Sequence, residues 1–171
     1  NNYSTDEIYE VNCPLFMHEK IDTFIPLKIV VFDLEVYSAT GQFPCSSVLT
    51  DCIFQVSVVS DFGSSRKKII LCLNETSCKA DDIDVRCFET ESELIEQFKR
   101  IVSIEDPDII TGYNVNGFDY RYIFDRADIF NKNDWDVMSR TRKGVTLKKM
   151  NQSSAALGEI ISWSPTVPGR C

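Results

Sequence analysis

The sequence predicts an α/β domain, and three observations support this class. Residues 27–36 (LKIVVFDLEV) are a nearly continuous β-branched and aromatic run, which is typical of a buried strand. Two more strand-like runs follow, and after residue 90 two helix-like segments are separated by a short apolar strand. Strands that alternate with helices in this way are characteristic of α/β folds. A chain of 171 residues, 43% of them hydrophobic, can bury the core of one such domain.

The first strand marks the predicted start of this domain. Residues 1–25 show no regular spacing of apolar side chains, so we expect them to be a tail that arrives from a preceding domain. The domain itself is predicted to cover residues 26–171. We expect its first strand to lie in the middle of the sheet and to be buried on both faces.

The next segments predict a hairpin and a fourth strand. Residues 52–62 (CIFQVSVVSDF) and 67–74 (KKIILCLN) are strand-like, and the Gly-Ser-Ser sequence between them favours a tight turn. After an acidic polar loop, residues 85–90 (VRCFET) predict a short strand that leads directly into a helix.

Two helices and a strand are predicted next. Thr90 and Glu93 have the spacing of a capping box, and the apolar residues that follow recur at helical spacing up to a stop at Pro107. Residues 108–114 (DIITGYN) predict a buried strand, and residues 118–130 (FDYRYIFDRADIF) predict a second helix.

Beyond residue 131 the apolar periodicity fades. Five basic residues lie close together there, and they either contact phosphate groups or form a solvated face: Arg140, Arg142, Lys143, Lys148 and Lys149. The sequence ends with SPTVPGRC, a Pro-Gly turn, from which we expect the protein to continue past Cys171.

Composition restricts the class of protein. The net charge of −8 disfavours a free-standing nucleic-acid-binding module, unless cations neutralise some carboxylates or further chain completes the binding surface. Seven cysteines without a C-x-x-C pair indicate neither a zinc finger nor a dithiol redox centre. No apolar run is long enough to span a bilayer and no signal peptide is visible, so we expect a soluble, intracellular protein without a membrane partner.

Asp33 and Glu35 are the first candidates for chemistry. Side chains two residues apart on a strand point to the same face, so both carboxylates lie together within an apolar segment. A salt bridge or a position in water at the strand end would explain them without any function. A cation would also compensate their charge, and oxygen ligands suit Mg²⁺ or Mn²⁺.

Asp119 is the third candidate. It opens the second predicted helix directly after a strand and an Asn/Gly turn, where the helix dipole favours an ionised carboxylate. Aspartate is common at such positions as an ordinary helix-start residue. Together with Asp33 and Glu35, however, it becomes a candidate metal ligand.

At this point the motifs resemble a known family. FDLE resembles the first exonuclease motif of family B DNA polymerases, TGYNVNGFD resembles the second, and residues 89–114 are similar to the helix and strand that join them. The resemblance is to delta-type polymerases and those of large eukaryotic DNA viruses. It implies a ribonuclease-H-like (DnaQ-type) exonuclease domain with a central mixed sheet flanked by helices, incomplete at its C-terminus.

The resemblance also implies a function. The chain would be part of a DNA-directed DNA polymerase and would remove mispaired 3′ nucleotides with two divalent ions, Mg²⁺ or Mn²⁺. The aspartate matching Asp33 bridges both ions, the glutamate matching Glu35 helps hold the ion that activates water, and the acid matching Asp119 serves the other. Asn114 and Phe118 would line the single-stranded 3′ end of the primer, although core packing is an equal alternative for Phe118.

The remaining implications concern partners and alternatives. Deoxynucleotides and a processivity clamp would be partners of the full-length enzyme, in the nucleus or at a viral replication site. The family's third motif, Tyr-x-x-x-Asp, which carries a fourth metal-binding acid, does not occur in these residues, so we expect the chain alone to be inactive. A stand-alone 3′ to 5′ exonuclease and a non-catalytic domain of the same fold are the alternatives.

Overall fold

The computed structural model describes residues 26–77, 80–154 and 158–171, so the predicted tail of residues 1–25 lies outside the described residues. The elements within these ranges, in chain order, are β1 (Ile29–Val36), β2 (Ile53–Phe62), β3 (Ser65–Leu73), β4 (Asp84–Phe88), α1 (Glu91–Glu105), β5 (Ile109–Thr111), α2 (Asp119–Ile129), a 3₁₀ turn (Asp136–Met138), β6 (Thr146–Ser154) and β7 (Gly158–Thr166). None of the described helices combines the length and the apolar character needed to cross a membrane.

Five strands form a mixed sheet in the order β4-β3-β2-β1-β5. β1, β2 and β3 pair antiparallel, whereas β4 is parallel to β3 and β5 is parallel to β1. The predicted hairpin is β2–β3, and the predicted fourth strand is β4. The α/β class and the central mixed sheet are therefore confirmed. β1 is an inner strand between β2 and β5, but the middle strand of the sheet is β2, which corrects the position expected for β1.

The expectation that β1 is buried on both faces is wrong. Val30, Phe32 and Leu34 are buried, whereas the alternate residues Val31, Asp33 and Glu35 are exposed. Both helices pack on the buried face, which is why only that face needs a continuous row of apolar side chains. The apolar run misled the prediction because the outward position of Val31 is also apolar.

Phe32 shows how the two helices share one face of the sheet. Its ring centroid lies 5.0 Å from that of Phe98 in α1 and 5.3 Å from that of Tyr120 in α2. Aromatic rings at these distances and tilted angles add stabilisation beyond their burial. This cluster therefore fixes both helices against β1, the strand that carries the first two acids.

The capping box of α1 is present as predicted. The Glu93 backbone N–H donates to Thr90 Oγ1 at 3.2 Å, and the Thr90 N–H donates to Glu93 Oε2 at 3.1 Å. The helix ends at Glu105, and Asp106 adopts a left-handed conformation with φ of 46° before Pro107. The chain can therefore turn directly into β5.

The segment after residue 131, where periodicity fades, contains a hairpin that the sequence did not predict. β6 and β7 pair antiparallel as a two-stranded sheet separate from the main one. Trp163 of β7 joins this ribbon to α2 and to the turn before it: its backbone N–H donates to Asn116 O at 2.6 Å, and the Arg121 guanidinium lies 4.2 Å from its ring centroid. Such a cation–π contact supplies a modest attraction.

Candidate active site

Asp33 and Glu35 project from the exposed face of β1. Across the strand pair, Asp33 lies opposite Ser57 and Glu35 lies opposite Gln55, so both acids are flanked by small or amide side chains. Neither carboxylate has an ion-pair partner in the part of the chain that the structure describes. The salt-bridge explanation is thereby removed. Two solvent-accessible carboxylates remain free to bind a cation or a polar ligand.

Asp119 reaches β1 between these two acids. It is the first residue of α2, is only 4% exposed, and its Oδ1 accepts a hydrogen bond of 3.0 Å from the Leu34 backbone N–H. β5 pairs with β1 only as far as Val31, so the Leu34 N–H lies beyond the end of β5. The carboxylate of Asp119 takes the place of a strand partner there.

The environment of Asp119 makes its charge costly. Burial is the largest influence and raises its pKa, whereas hydrogen bonds from the backbone N–H groups of Leu34 and of Asp119 itself lower it. The negative charges of Asp33 and Glu35 raise it again, so the net pKa lies above the ordinary value. The three predicted acids therefore interact electrostatically at one place, the end of β5 beside β1.

The turn between β5 and α2 depends on a glycine. A Cβ atom at Gly112 would lie 2.2 Å from Phe32 O and 2.4 Å from Val115 Cγ1, distances that no side chain can adopt. The backbone at Gly112 therefore lies against the backbone of β1 at Phe32, an approach that only glycine allows. This close approach brings the start of α2, and with it Asp119, onto the strand.

Asn114 lies at the top of the same turn. It has a left-handed backbone with φ of 53°, and its carbonyl accepts the Gly117 N–H at 2.8 Å. A Cβ at Gly117 would lie 2.4 Å from Asn114 Oδ1, so the side chain folds back beneath the turn. Asn114 is exposed, and its contact with DNA stays a prediction.

Phe118 is half-buried and belongs to a small aromatic group. Its ring centroid lies 5.0 Å from that of Tyr122 and 5.2 Å from that of Phe43. Phe43 itself is 80% exposed. Phe118 thus contributes to packing through both rings, and its contact with DNA stays a prediction.

Phe43 is a candidate that the sequence analysis missed. It lies in the turn-rich segment after β1, where neither strand nor helix periodicity marks a side chain as important. A large aromatic residue in the middle of a turn-rich loop was the available signal.

The donor chemistry of the three acids fits a divalent cation. Carboxylate oxygens are the preferred ligands of Mg²⁺ and Mn²⁺, and a cation would relieve the mutual repulsion that raises the Asp119 pKa. Within the described residues, however, no three Asp, Glu, His or Cys side chains are placed closely enough to hold a metal ion. The set is chemically suitable but is not a preformed cage.

The basic stretch divides into two parts. Arg140 pairs with Asp106 and Asp108, both at 2.9 Å, and Arg170 adds a second contact to Asp106 at 2.6 Å. These arginines neutralise acids at the turn between α1 and β5. Lys143, Lys148 and Lys149 are exposed, which suits either a solvated face or phosphate contacts, and the choice between the two stays a prediction.

The fold defines the class of protein. A mixed five-stranded sheet with helices packed against it, and with acids on β1 and at the start of α2, is a ribonuclease-H-like α/β domain. Within that class, the chain belongs to the family described as DNA polymerase family B, exonuclease domain, whose sequence model matches residues 1–164. The resemblance carried by the motifs is thereby confirmed.

Similar proteins are polymerase subunits. The DNA polymerase delta catalytic subunit of Schizosaccharomyces pombe is 30% identical over 149 residues, which cover 85% of this chain and 13% of that protein. The DNA polymerase catalytic subunit of rat cytomegalovirus is 29% identical over 156 residues, which cover 84% of this chain and 13% of that protein. The DNA polymerase catalytic subunit of human herpesvirus 6A is 35% identical over 114 residues, which cover 66% of this chain and 11% of that protein. The chain therefore spans a small part of these relatives.

Proposed function

We propose that this chain supplies the proofreading exonuclease of a family B DNA polymerase that acts in DNA replication. The observation that carries the proposal is that Asp119 is held against β1 between Asp33 and Glu35, with its Oδ1 accepting the Leu34 N–H at 3.0 Å. The pKa of Asp119, raised mainly by burial and further by the charges of Asp33 and Glu35, agrees with this placement. Family membership supplies the reaction class, hydrolysis of a phosphodiester at a 3′ end.

Each acid has a distinct part in this proposal. Asp33 and Glu35 are exposed and share a face of β1, so they can turn toward incoming ligands. Asp119 is already oriented by the Leu34 N–H. Together they would hold two Mg²⁺ or Mn²⁺ ions, which when bound lower the pKa of water and stabilise the leaving 3′ oxygen.

The aromatic group beside the acids suits single-stranded DNA. Phe118 immediately precedes Asp119, and the exposed ring of Phe43 packs edge-on against it. A base stacked on such a ring is held without being identified, as removal of any mispaired nucleotide requires. Asn114, at the top of the same turn, would contact the sugar or phosphate of the terminal nucleotide.

Two observations favour a polymerase over the alternatives. The relatives are described as polymerase catalytic subunits, which disfavours a stand-alone exonuclease. The three acids are intact, which disfavours a non-catalytic domain. In the polymerase, primer DNA, deoxynucleotides and a clamp would be partners, and the enzyme would work in the nucleus or at a viral replication site.

The direct test is the substitution Asp33→Asn in the full-length protein. Asparagine keeps the volume and removes the charge, so we expect 3′ excision from a 5′-labelled mispaired primer to fall by about 100-fold or more, equivalent to about 2.7 kcal/mol. DNA synthesis should stay within about twofold, because it would use a separate metal site.

Asp61→Asn is the matched control. Asp61 lies on the same face of the sheet, one residue before the end of β2, and pairs with Arg66. Its substitution removes the same charge and should leave both activities unchanged. Equal loss of excision and synthesis in Asp33→Asn would show that Asp33 is a structural residue, and intact excision would refute the proposed function.

A further inference from the structure

Arg126 of α2 is buried in a way that an arginine rarely is. Its side chain is 1% exposed, and charged residues are almost never this buried unless they are paired. Its partner is Glu91, the first residue of α1: Nε donates to Oε1 at 2.8 Å and Nη2 donates to Oε2 at 2.5 Å. This bidentate pair joins the start of α1 to the last turn of α2.

The remaining donors of Arg126 bind backbone carbonyls. Nη1 donates to Ser46 O and Val48 O, each at 3.0 Å, and Nη2 donates to Leu49 O at 3.4 Å. A guanidinium has five N–H donors. With Glu91 included, all five are used, and three of them hold a segment about 80 residues away in sequence.

That segment belongs to the β1–β2 loop, residues 37–52. Asp51 ties the loop to itself by accepting two of its backbone N–H groups. Two further hydrogen bonds join the loop to α2: Tyr122 OH donates to Asp51 O at 2.7 Å, and Ser46 Oγ donates to Asp125 Oδ2 at 2.8 Å. Arg126 contributes more bonds to this loop than any other described side chain.

The β1–β2 loop begins two residues after Glu35 and carries Phe43. The Phe43 ring packs against Phe118, next to Asp119, and is otherwise exposed. The position of this ring relative to the acids therefore depends on how firmly the loop is held.

We propose that Arg126 is a positioning residue for the exonuclease: it fixes the β1–β2 loop so that Phe43 stays against Phe118 and receives the single-stranded 3′ end. This inference rests on the proposed function. Loss of the arginine leaves the three acids in place, so the binding of DNA should suffer while the hydrolytic step does not.

A merely stabilising role is the competing explanation, and Lys99 is the control that separates the two. Lys99 is also a buried cation, 2% exposed; it pairs with Glu96 and donates to Lys132 O at 3.0 Å and Asp134 O at 3.2 Å. It therefore fixes a loop in the same manner, but the loop lies after α2. Lys99→Met should destabilise the domain without moving Phe43.

The experiment measures excision kinetics of the full-length protein on 5′-labelled oligothymidylate with Mg²⁺. We expect Arg126→Met to raise KM about tenfold, the range of one lost base–aromatic stack, with kcat within about twofold. Lys99→Met should leave KM unchanged. Because Arg126 acts through Phe43, Phe43→Ala should raise KM by itself, and adding Arg126→Met should raise it no further.

Limited chymotrypsin digestion reports the loop directly. Cleavage after Leu49, within the β1–β2 loop, should accelerate in Arg126→Met and not in Lys99→Met. If Arg126→Met is insoluble, Arg126→Lys replaces it, because lysine keeps the positive charge beside Glu91 but cannot bond all three loop carbonyls at once. The rise in KM should then be smaller than that expected for Arg126→Met.

The outcomes separate the two proposals. Equal rises in KM in the Arg126 and Lys99 variants, additive effects of Arg126→Met and Phe43→Ala, or an unchanged KM in Arg126→Lys would overturn the positioning role alone. Excision that survives Asp33→Asn would overturn the proposed function, and the role of Arg126 with it.

Discussion

One hydrogen bond holds Asp119 in position, whereas its surroundings make its negative charge unfavourable. The hydrogen bond from the Leu34 N–H orients its carboxylate, but burial and the charges of Asp33 and Glu35 raise its pKa above the ordinary value. A buried group with unfavourable neighbours is characteristic of functional sites, where structure is arranged for a ligand and not for stability. Asp119 should therefore reduce the stability of the protein when no cation is present.

We expect Asp119→Asn to stabilise the metal-free protein at neutral pH by on the order of 1 kcal/mol, because asparagine can still accept the Leu34 N–H but carries no charge. The folded-state pKa is raised, so the ionised form is the costly one. The gain should shrink as the pH falls through that pKa, since the wild-type carboxyl is then neutral as well.

Chemical unfolding in EDTA across a pH series measures this difference. Adding Mg²⁺ should stabilise the wild type more than the variant, because only the wild type keeps all three carboxylates. A variant that is less stable than the wild type at pH 8 would show that the charged form of Asp119 is favourable in the fold, contrary to the expected effect of burial.

At the residue level, side chains whose position follows from local spacing were predictable. Asp33 and Glu35 share a face because they are two apart on a strand, and the capping box was legible from Thr90 and Glu93. Arg126 was not predicted, because its partners Ser46 and Glu91 lie 80 and 35 residues away in sequence. No local pattern reports such contacts.

At the scale of elements, Glu105 connects the end of α1 to three parts of the sheet. Its carboxylate accepts Lys67 Nζ of β3 at 2.8 Å and Ser60 Oγ of β2 at 2.9 Å, and Lys28 Nζ, just before β1, lies 3.4 Å away. Burial alone would raise its pKa, but the bonds from Lys67 and Ser60 outweigh burial and the pKa is lowered. The ionised form is thus stabilised by the fold.

We expect Glu105→Gln to lower the free energy of unfolding by about 1 to 2 kcal/mol at pH 7, because the amide loses the two lysine contacts while remaining buried. Since the folded-state pKa is depressed, the wild-type advantage is complete above the unfolded pKa of about 4.3 and is lost as the pH falls through the lower folded value.

Urea unfolding of both proteins between pH 7 and pH 3 measures the effect of Glu105. Asp84→Asn is the control, because Asp84 pairs with Arg86 on the surface and should contribute little at any pH. An advantage of Glu105 that persists unchanged at pH 3 would contradict an electrostatic origin.

The prediction of elements succeeded where apolar periodicity was strong. α1 combines a capping box with an apolar stripe, and β2 and β3 flank a short turn. β6, and with it the ribbon that it forms with β7, was missed because its sequence TLKKMNQSS has little apolar character. The two strands are joined by backbone pairing, which composition does not reveal.

For the whole molecule, the exposed face of β1 and the net charge together determine how DNA can bind. The acids lie on the face of β1 that the described helices leave open, so DNA must approach from that side. With a net charge of −8, the chain repels a phosphate backbone. Binding of DNA by this chain should therefore depend on divalent cations or on basic surface contributed by other parts of the protein.

The isolated 171-residue chain tests this expectation. It has its own core around Phe32 and should fold at least in part, yet we expect little or no nuclease activity with Mg²⁺. Asp33, Glu35 and Asp119 are present, but the described residues contain no three-ligand cluster placed to hold a metal, and the family's third motif with its fourth acid does not occur in the sequence. Loss of such a part from a two-metal site removes several kcal/mol of transition-state stabilisation, which corresponds to orders of magnitude in rate.

The measurement is degradation of a 5′-labelled mispaired primer by the purified chain, with Mg²⁺ and with EDTA, alongside circular dichroism to establish that the chain is folded. The Asp33→Asn form of the same chain is the control for contaminating nuclease. We expect the two forms to be equally inactive, because a single missing acid already prevents both ions from being held. Robust, Mg²⁺-dependent shortening from the 3′ end by the wild-type chain alone would mean that these residues form a complete site, and would favour the stand-alone exonuclease over a domain that depends on the rest of a polymerase.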